Sequence, residues 1–168
     1  DKPDNFYLLC YDSRPDRMAS TAISMSLLDA SLKETIAAER VLMFVDACHA
    51  GEIGVKGVRL GNSINTALTD PGFMASRPGK LVFTSSEANE VSRESDKWDG
   101  GHGVFTWAML KGLKGEADGF GGSEKDGKVT LGELLDYVDQ TVRRETGSTQ
   151  HPQKAGRFDR NMIIGRVR

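Results

Sequence analysis

The stretch VLMFVDACHAG, residues 41–51, joins an unbroken apolar run to a short end of polar and small residues. The run Val41–Val45 has no polar alternation, which is typical of a strand whose two faces are both buried in a parallel sheet. Ligands of open α/β sheets bind beyond the carboxyl ends of such strands. Asp46 and Cys48 follow the run directly, so the stretch predicts both a central strand and the place of a functional site.

The rest of the chain alternates between strand-like and helix-like patterns around that strand. Further apolar runs predict more strands, and apolar residues recur at helical spacing over three longer stretches. The predicted elements are strands at 6–10, 80–84 and 162–167 and helices at 24–38, 104–113 and 131–142. Because strands alternate with helices, the chain is predicted to be α/β with a mainly parallel sheet, formed as a single domain over residues 1–168.

The composition excludes several classes of protein. Of the 168 residues, 38% are apolar, which is enough for a buried core. The 22 Lys and Arg and 24 Asp and Glu give a net charge of −2. A nucleic-acid partner needs a basic face and a membrane partner needs a much longer apolar run, so neither is predicted. The chain has only Cys10 and Cys48, which indicates no disulfide framework and favours a reducing, cytoplasmic location.

Cys48 has the surroundings of a nucleophile. A thiol attacks well only as the thiolate, which needs a nearby base or a positive environment. The small neighbours Ala47, Ala50 and Gly51 leave room for a peptide backbone and for main-chain N–H groups that stabilise an oxyanion. Spacing alone leaves a second interpretation open, in which Cys48 is a buried strand-end residue without chemistry.

The octapeptide FVDACHAG, residues 44–51, resembles the nucleophile motif of the caspase-like cysteine peptidases, above all of their metacaspase and prokaryotic branch. The likeness continues in order along nearly the whole chain, at residues 81–86, 102–106, 110–113, 129–134 and 150–152. The resemblance implies a caspase-like three-layer α/β/α sandwich with a mainly parallel central sheet. It also implies that Cys48 is the nucleophile of an acyl-enzyme mechanism, and that no cofactor takes part.

The resemblance also implies a general base that is expected outside residues 1–168. In relatives, a His-Gly pair lies shortly before a segment like residues 5–12, which here places it before Asp1. We therefore expect an N-terminal segment or a separate fragment to supply the His and complete the domain. His49 adjoins the nucleophile, His102 precedes a helix and His151 lies in a proline-containing loop, so none of the three is predicted to be the base.

Acidic residues around the site predict a preference for basic substrates. Asp46 lies two residues before Cys48 and points to the same side of the strand end, where it would line the pocket for the residue before the cut. Glu94 takes the position at which the resemblance to animal caspases places an Arg that binds substrate Asp. Ser92 is expected to line the pocket wall through its main chain, and the charge of Arg93 must point away. We predict peptide cleavage after Arg, then Lys.

The acidic residues also have a purely structural interpretation. Asp46 would then cap an element at the strand end, and Glu94 would be a solvated loop charge. Residues 52–79, rich in Gly and small polar residues, are predicted to form a mobile loop. Its basic residues Lys56, Arg59 and Arg77 are either sites of self-processing or solvated charges.

No metal site is predicted. Asp126, Gly127 and Glu133 resemble the second half of a calcium-binding loop, but the first ligand position falls on Gly122, which has no side-chain ligand. A turn followed by a helix explains the same pattern.

Two functions other than peptidase activity stay open from the sequence. One is a catalytically inactive caspase-fold module that binds a partner, which the absence of a base from the full-length protein would favour. The other is a thiol acyl transferase that uses Cys48, which acylation by small thioesters without peptide cleavage would favour.

Overall fold

The computed structural model describes residues 7–47, 68–69, 79–87 and 90–167. Its strands are β1 (Tyr7–Leu8), β2 (Ile23–Ser24), β3 (Val41–Val45), β4 (Lys80–Thr84), β5 (Lys128–Thr130), β6 (Gln153–Arg157) and β7 (Ile163–Arg166). Its helices are α1 (Met18–Thr21), α2 (Met25–Ala30), α3 (Val104–Lys111) and α4 (Leu131–Glu145). Short 3-10 turns lie at Pro15–Arg17 and Phe120–Gly122, and π-helical turns lie at Ser31–Thr35 and Gly112–Glu116. None of the described helices is long and apolar enough to cross a bilayer.

Strands β3, β4 and β6 form a three-stranded sheet in that order. β3 and β4 are parallel, with Val41 opposite Lys80 and Val45 opposite Thr84. Beyond the strands, the N–H of Ser85 donates to the carbonyl of Val45 at 2.9 Å, so the two strands end together. β6 is antiparallel to β4. The carboxyl ends of β3 and β4 therefore lie side by side.

The two faces of β3 and β4 are covered by different helical segments. Because side chains alternate along a strand, Leu42 and Phe44 of β3 and Phe83 of β4 face the cluster formed with α3 and α4. There the Phe83 ring packs on Phe105 of α3, with ring centroids 5.0 Å apart. The alternate residues belong to a second cluster with α2, formed by Met25, Leu28, Met43, Val45, Leu68, Val82 and Ala155.

The described sheet differs from the one that the sequence predicts. The residues of β3 are only half-buried, although both of its faces are covered, whereas every residue of β4 is buried. β4 is the middle strand, and β3 pairs on one side only among the described residues. β6 was not predicted, because its sequence QKAGR has no apolar alternation. Of the strand pairings that the described residues form, β3–β4 is parallel and the other three are antiparallel.

The predicted helix over 24–38 is shorter in the structure and follows a small antiparallel pair, β1 with β2. Ser24 caps α2 by accepting a hydrogen bond from the Leu27 N–H at 3.2 Å. The helical path continues through the π-helical turn and ends where Ile36 takes an extended conformation. Within that turn, the carbonyl of Leu32 accepts a hydrogen bond from the buried Lys80 Nζ at 2.8 Å, which ties this region to the start of β4.

Helix α4 begins with a capping box, which fixes the loop before it. Thr130 Oγ1 accepts from the Glu133 N–H at 3.3 Å, and Glu133 Oε2 accepts from the Thr130 N–H at 2.8 Å. The other carboxylate oxygen of Glu133 accepts from Ser123 Oγ at 2.5 Å and from the Gly119 N–H at 3.1 Å. Burial alone would raise the pKa of Glu133, but the hydrogen bonds from Ser123, Thr130 and Gly119 outweigh it and lower the pKa from the ordinary value of a glutamate.

Replacing Glu133 with Gln is therefore expected to lower the free energy of unfolding by about 1–3 kcal/mol at pH 7. An amide has one acceptor oxygen in place of two, so donors on one side of the buried group lose their partner. The folded-state pKa of Glu133 is lowered, so its contribution is complete above the unfolded value and is lost as the pH falls through the folded value. Urea unfolding at neutral and acidic pH checks this, with the exposed Glu124→Gln as the matched control. An equal loss at both pH values would contradict it.

Candidate active site

The described part of the site is formed where β3 and β4 end, where α3 begins, and along the 90–94 segment, which we define as residues 90–94. Cys48 and His49 lie outside the described residues, as does most of the 52–79 region. Cys48 follows Ala47, the last described residue after β3.

Asp46 directly follows β3 and interacts with the first turn of α3. Its Oδ2 accepts hydrogen bonds from Thr106 Oγ1 at 2.6 Å and from the Thr106 N–H at 3.3 Å. The residue that precedes the helix, Gly103, has no side chain that can cap it. Asp46 therefore satisfies a free N–H of α3 from a neighbouring strand, and its negative charge lies at the positive end of the helix dipole. This is the strand-end cap of the structural interpretation, although the residue stays exposed.

Gly103 brings Asp46 close to the segment that carries Glu94. A Cβ at Gly103 would lie 2.6 Å from Asp46 Oδ2, so any larger residue here would force the Asp46 carboxylate to move. Glu94 pairs with Gly103 in an isolated antiparallel bridge. Next to it, the carbonyl of Arg93 accepts from the Val104 N–H at 3.0 Å. Two acidic residues from distant parts of the sequence thus flank the same glycine.

Ser92 and Glu94 differ in which way they face. Ser92 is 5% exposed, and its hydroxyl is hydrogen-bonded to the buried Ser85 hydroxyl. Its side chain is therefore part of the interior. Glu94 is exposed, as is Arg93. Among the ion pairs of the described residues, none joins Arg93 to Asp46 or to Glu94.

The histidines that the structure describes, His102 and His151, form hydrogen bonds with Trp98 and Glu90, respectively. His102 is exposed, and its N–H donates to the carbonyl of Trp98 at 3.1 Å in the turn before α3. His151 binds the carboxylate of Glu90 through both its ring Nδ1 and its backbone N–H, the latter at 2.7 Å. Burial would raise the pKa of Glu90, but the hydrogen bonds from His151 and from the Glu87 N–H outweigh it and lower that pKa.

The carboxylates of the calcium-like motif are engaged with the protein itself. Asp126 is hydrogen-bonded to the Lys128 ammonium at 2.8 Å. Asp118 accepts from the N–H groups of Asp126 and Gly127, both at 3.0 Å. Within the part of the chain that the structure describes, no three His, Cys, Asp or Glu residues are grouped as metal ligands. The motif is a turn that leads into α4.

Two residues of the site were not identified from the sequence. Thr106 lies in the first turn of α3. The sequence offers one signal that a distant residue caps this helix, which is that Gly103, the residue before it, has no side chain. Gln150 lies in the 150–152 stretch of the family resemblance without a predicted role, yet it is fully buried beside the 90–94 segment. Its partners are 57 and 65 residues away in sequence, so no local pattern indicates them.

Comparison with protein families assigns the chain to a known class. The family model for the caspase domain, of the C14 peptidases, matches residues 4–162. The chain belongs to this family, which confirms the caspase-like resemblance and a caspase-like α/β fold. Membership supports cysteine peptidase activity in general, with proteins as substrates. No curated protein and no solved structure matches the chain.

Proposed function

We propose that this domain is a cysteine endopeptidase that cleaves after Arg and, less readily, after Lys. The observation that carries the specificity is that Asp46 directly follows the strand that leads to Cys48 and approaches Gly103, with which Glu94 forms a bridge. Two acidic groups at one place favour a cationic side chain, and they repel a substrate carboxylate.

The hydrogen bonding of Asp46 supports such a pocket. Both bonds from Thr106 go to Oδ2, and no hydrogen bond from a described residue reaches Oδ1. The carboxylate is therefore held in place while one oxygen is left for a substrate. A guanidinium presents several donors in a planar fork and binds two acceptors at once, whereas an ammonium acts as a point charge. This difference supports the order Arg before Lys.

The proposed chemistry is acyl transfer through Cys48. The thiolate attacks the carbonyl carbon after the basic residue, and the backbone N–H of Cys48 stabilises the oxyanion. A protonated His gives its proton to the departing amine, which breaks the peptide bond and leaves a thioester. Water, deprotonated by the same His, then hydrolyses the thioester and regenerates the thiol.

The base is proposed to come from an N-terminal segment or fragment. β3 pairs only with β4 among the described residues, so a further strand that ends in His-Gly can add to its other edge. With that strand the sheet would become mainly parallel, within the three-layer sandwich of the metacaspase and prokaryotic branch. We also propose a cytoplasmic location and self-processing within residues 52–79.

A second candidate is an inactive binding module. It is favoured by the positions of the described histidines, because His151 is bound to Glu90 and His102 is exposed in the turn before α3. A thiol acyl transferase is the third possibility.

Covalent labelling tests the proposed function. A short peptide ending in an Arg electrophile, added to the full-length protein, is expected to modify Cys48 stoichiometrically, as read by intact mass and peptide mapping. The exposed Cys10 serves as an internal control, because it should react only with an unselective alkylating agent. Equal labelling by an Asp electrophile would contradict the proposed specificity. Acylation by small thioesters without peptide cleavage would favour the acyl transferase.

A further inference from the structure

The buried side chain of Gln150 links the 90–94 segment to the end of the central sheet. Gln150 has 0% exposure and lies between α4 and β6. Its Nε2 donates to the carbonyl of Ser85 at 2.8 Å, and its Oε1 accepts from the N–H of Arg93, also at 2.8 Å. One amide thus joins two backbone positions that are not otherwise neighbours in the sheet.

Both backbone positions belong to the site. The N–H of Ser85 donates to the carbonyl of Val45 at 2.9 Å, so Ser85 is bonded to the strand that leads to Cys48. Arg93 is held from its other side, because its carbonyl accepts from the N–H of Val104 at the start of α3. Gln150 therefore fixes the distance between the 90–94 segment and the strand end.

His151, the residue after Gln150, binds Glu90 at the other end of the 90–94 segment. The backbone N–H of His151 donates to Glu90 Oε2 at 2.7 Å, and its ring binds Glu90 Oε1. The consecutive residues Gln150 and His151 thus hold Arg93 and Glu90. Between these two points lies Ser92, whose hydroxyl is bonded to Ser85.

We propose that Gln150 is a positioning residue for substrate binding. It sets the backbone of the 90–94 segment so that the exposed carboxylate of Glu94 meets the residue before the cut. This inference rests on the proposed peptidase function and deepens it. Gln150 acts through Arg93 and Ser85, and it does not touch the substrate or the nucleophile.

Two substitutions of Gln150 change the hydrogen bonds of its amide in different ways. Replacing Gln150 by Glu keeps an acceptor for the Arg93 N–H but turns an oxygen toward the Ser85 carbonyl. Replacing Gln150 by Met keeps a similar shape and removes both hydrogen bonds. A buried polar group left without its partner is costly, so the backbone of the 90–94 segment moves to find other partners. Substrate binding then weakens while the thiol stays intact.

The test compares Gln150→Glu and Gln150→Met with the wild-type full-length protein. On an Arg peptide, kcat/KM is expected to fall about tenfold or more, mainly through a higher KM. The rate at which iodoacetamide alkylates Cys48 should change by less than about twofold, because that reaction needs only the thiolate. Gln140→Glu is the matched control. Gln140 is exposed on α4, and its variant should keep wild-type kinetics.

The outcomes separate this inference from the proposed function. If the wild-type protein cleaves Arg peptides and both Gln150 variants keep kcat/KM within about twofold, the positioning role is wrong. If KM rises in both variants while kcat and the rate of alkylation by iodoacetamide also fall, Gln150 is only a structural residue. If the wild-type protein cleaves no Arg peptide, the proposed function fails, and the positioning role fails with it.

Discussion

Replacing Cys48 with Ala is expected to abolish peptide cleavage, with a fall in kcat of about a thousandfold or more. Alanine has no group that can form the thioester, so the two-step route through an acyl-enzyme is closed. The rate of hydrolysis of a fluorogenic Arg peptide by the purified full-length variant measures the effect. Because Ala fits wherever Cys fits, the melting temperature should stay near that of the wild-type protein.

Cys10→Ala is the matched control for this result. Cys10 is the other cysteine of the chain and lies exposed after β1, far in sequence from the strand that leads to Cys48. Its variant should cleave the Arg peptide at the wild-type rate. Retained activity in Cys48→Ala, or equal losses in both variants, would show that Cys48 is not the nucleophile.

Replacing Asp46 with Asn is expected to lower kcat/KM on Arg peptides by roughly 10–100-fold. The estimate corresponds to the loss of a hydrogen bond between charged groups, about 1.5–3 kcal/mol. The Asn carbonyl can still accept from Thr106, so the start of α3 keeps its cap and the change is mainly one of charge. Kinetics on peptides that differ only in Arg or Asp before the cut measure it, and the ratio of the two should fall.

A matched control distinguishes the loss of a charge in the proposed pocket from a change in the net charge of the protein. Asp16→Asn also removes one negative charge, but Asp16 lies on the surface beside Arg14 and Arg17, and its variant should leave the Arg to Asp ratio unchanged. Glu94→Gln should lower the same ratio less than Asp46→Asn, because Glu94 is exposed and better solvated. If Asp46→Asn reduces thermal stability but leaves the ratio unchanged, Asp46 is a helix cap and not a pocket residue.

The parts of the fold that the sequence predicts well are those with strong local patterns. The strand at 80–84 is confirmed to the residue, because five residues without polar alternation flanked by turns have few other interpretations. Helix α4 is confirmed as well and continues to Glu145, since a clean apolar stripe marks it over 131–142. In both cases, the signal lies within one element.

The parts that the sequence does not predict depend on distant partners. β6 exists because β4 offers a free edge, and its own residues carry no strand pattern. The half-burial of β3 likewise depends on which strands lie beside it. Local spacing does not distinguish an edge strand from a central one.

The candidate site shows the same division. The motif around Cys48 predicts the family, and the family model confirms it. The bond between Asp46 and Thr106 joins residues 60 positions apart, and the bonds of Gln150 join more distant segments to the site. The roles of Asp46, Ser92 and Glu94 in specificity stay predictions, as does the His of an N-terminal segment.

The most direct test of the account is the specificity constant of the full-length protein on three peptides that are identical except for Arg, Lys or Asp before the cut. We predict the highest kcat/KM for Arg, a lower value for Lys and a far lower value for Asp, with all activity lost in Cys48→Ala. Cleavage after Asp at a rate comparable to that after Arg would contradict the acidic pocket at Gly103. No cleavage of any of the three peptides by a protein whose Cys48 also resists the Arg electrophile would contradict the peptidase function itself.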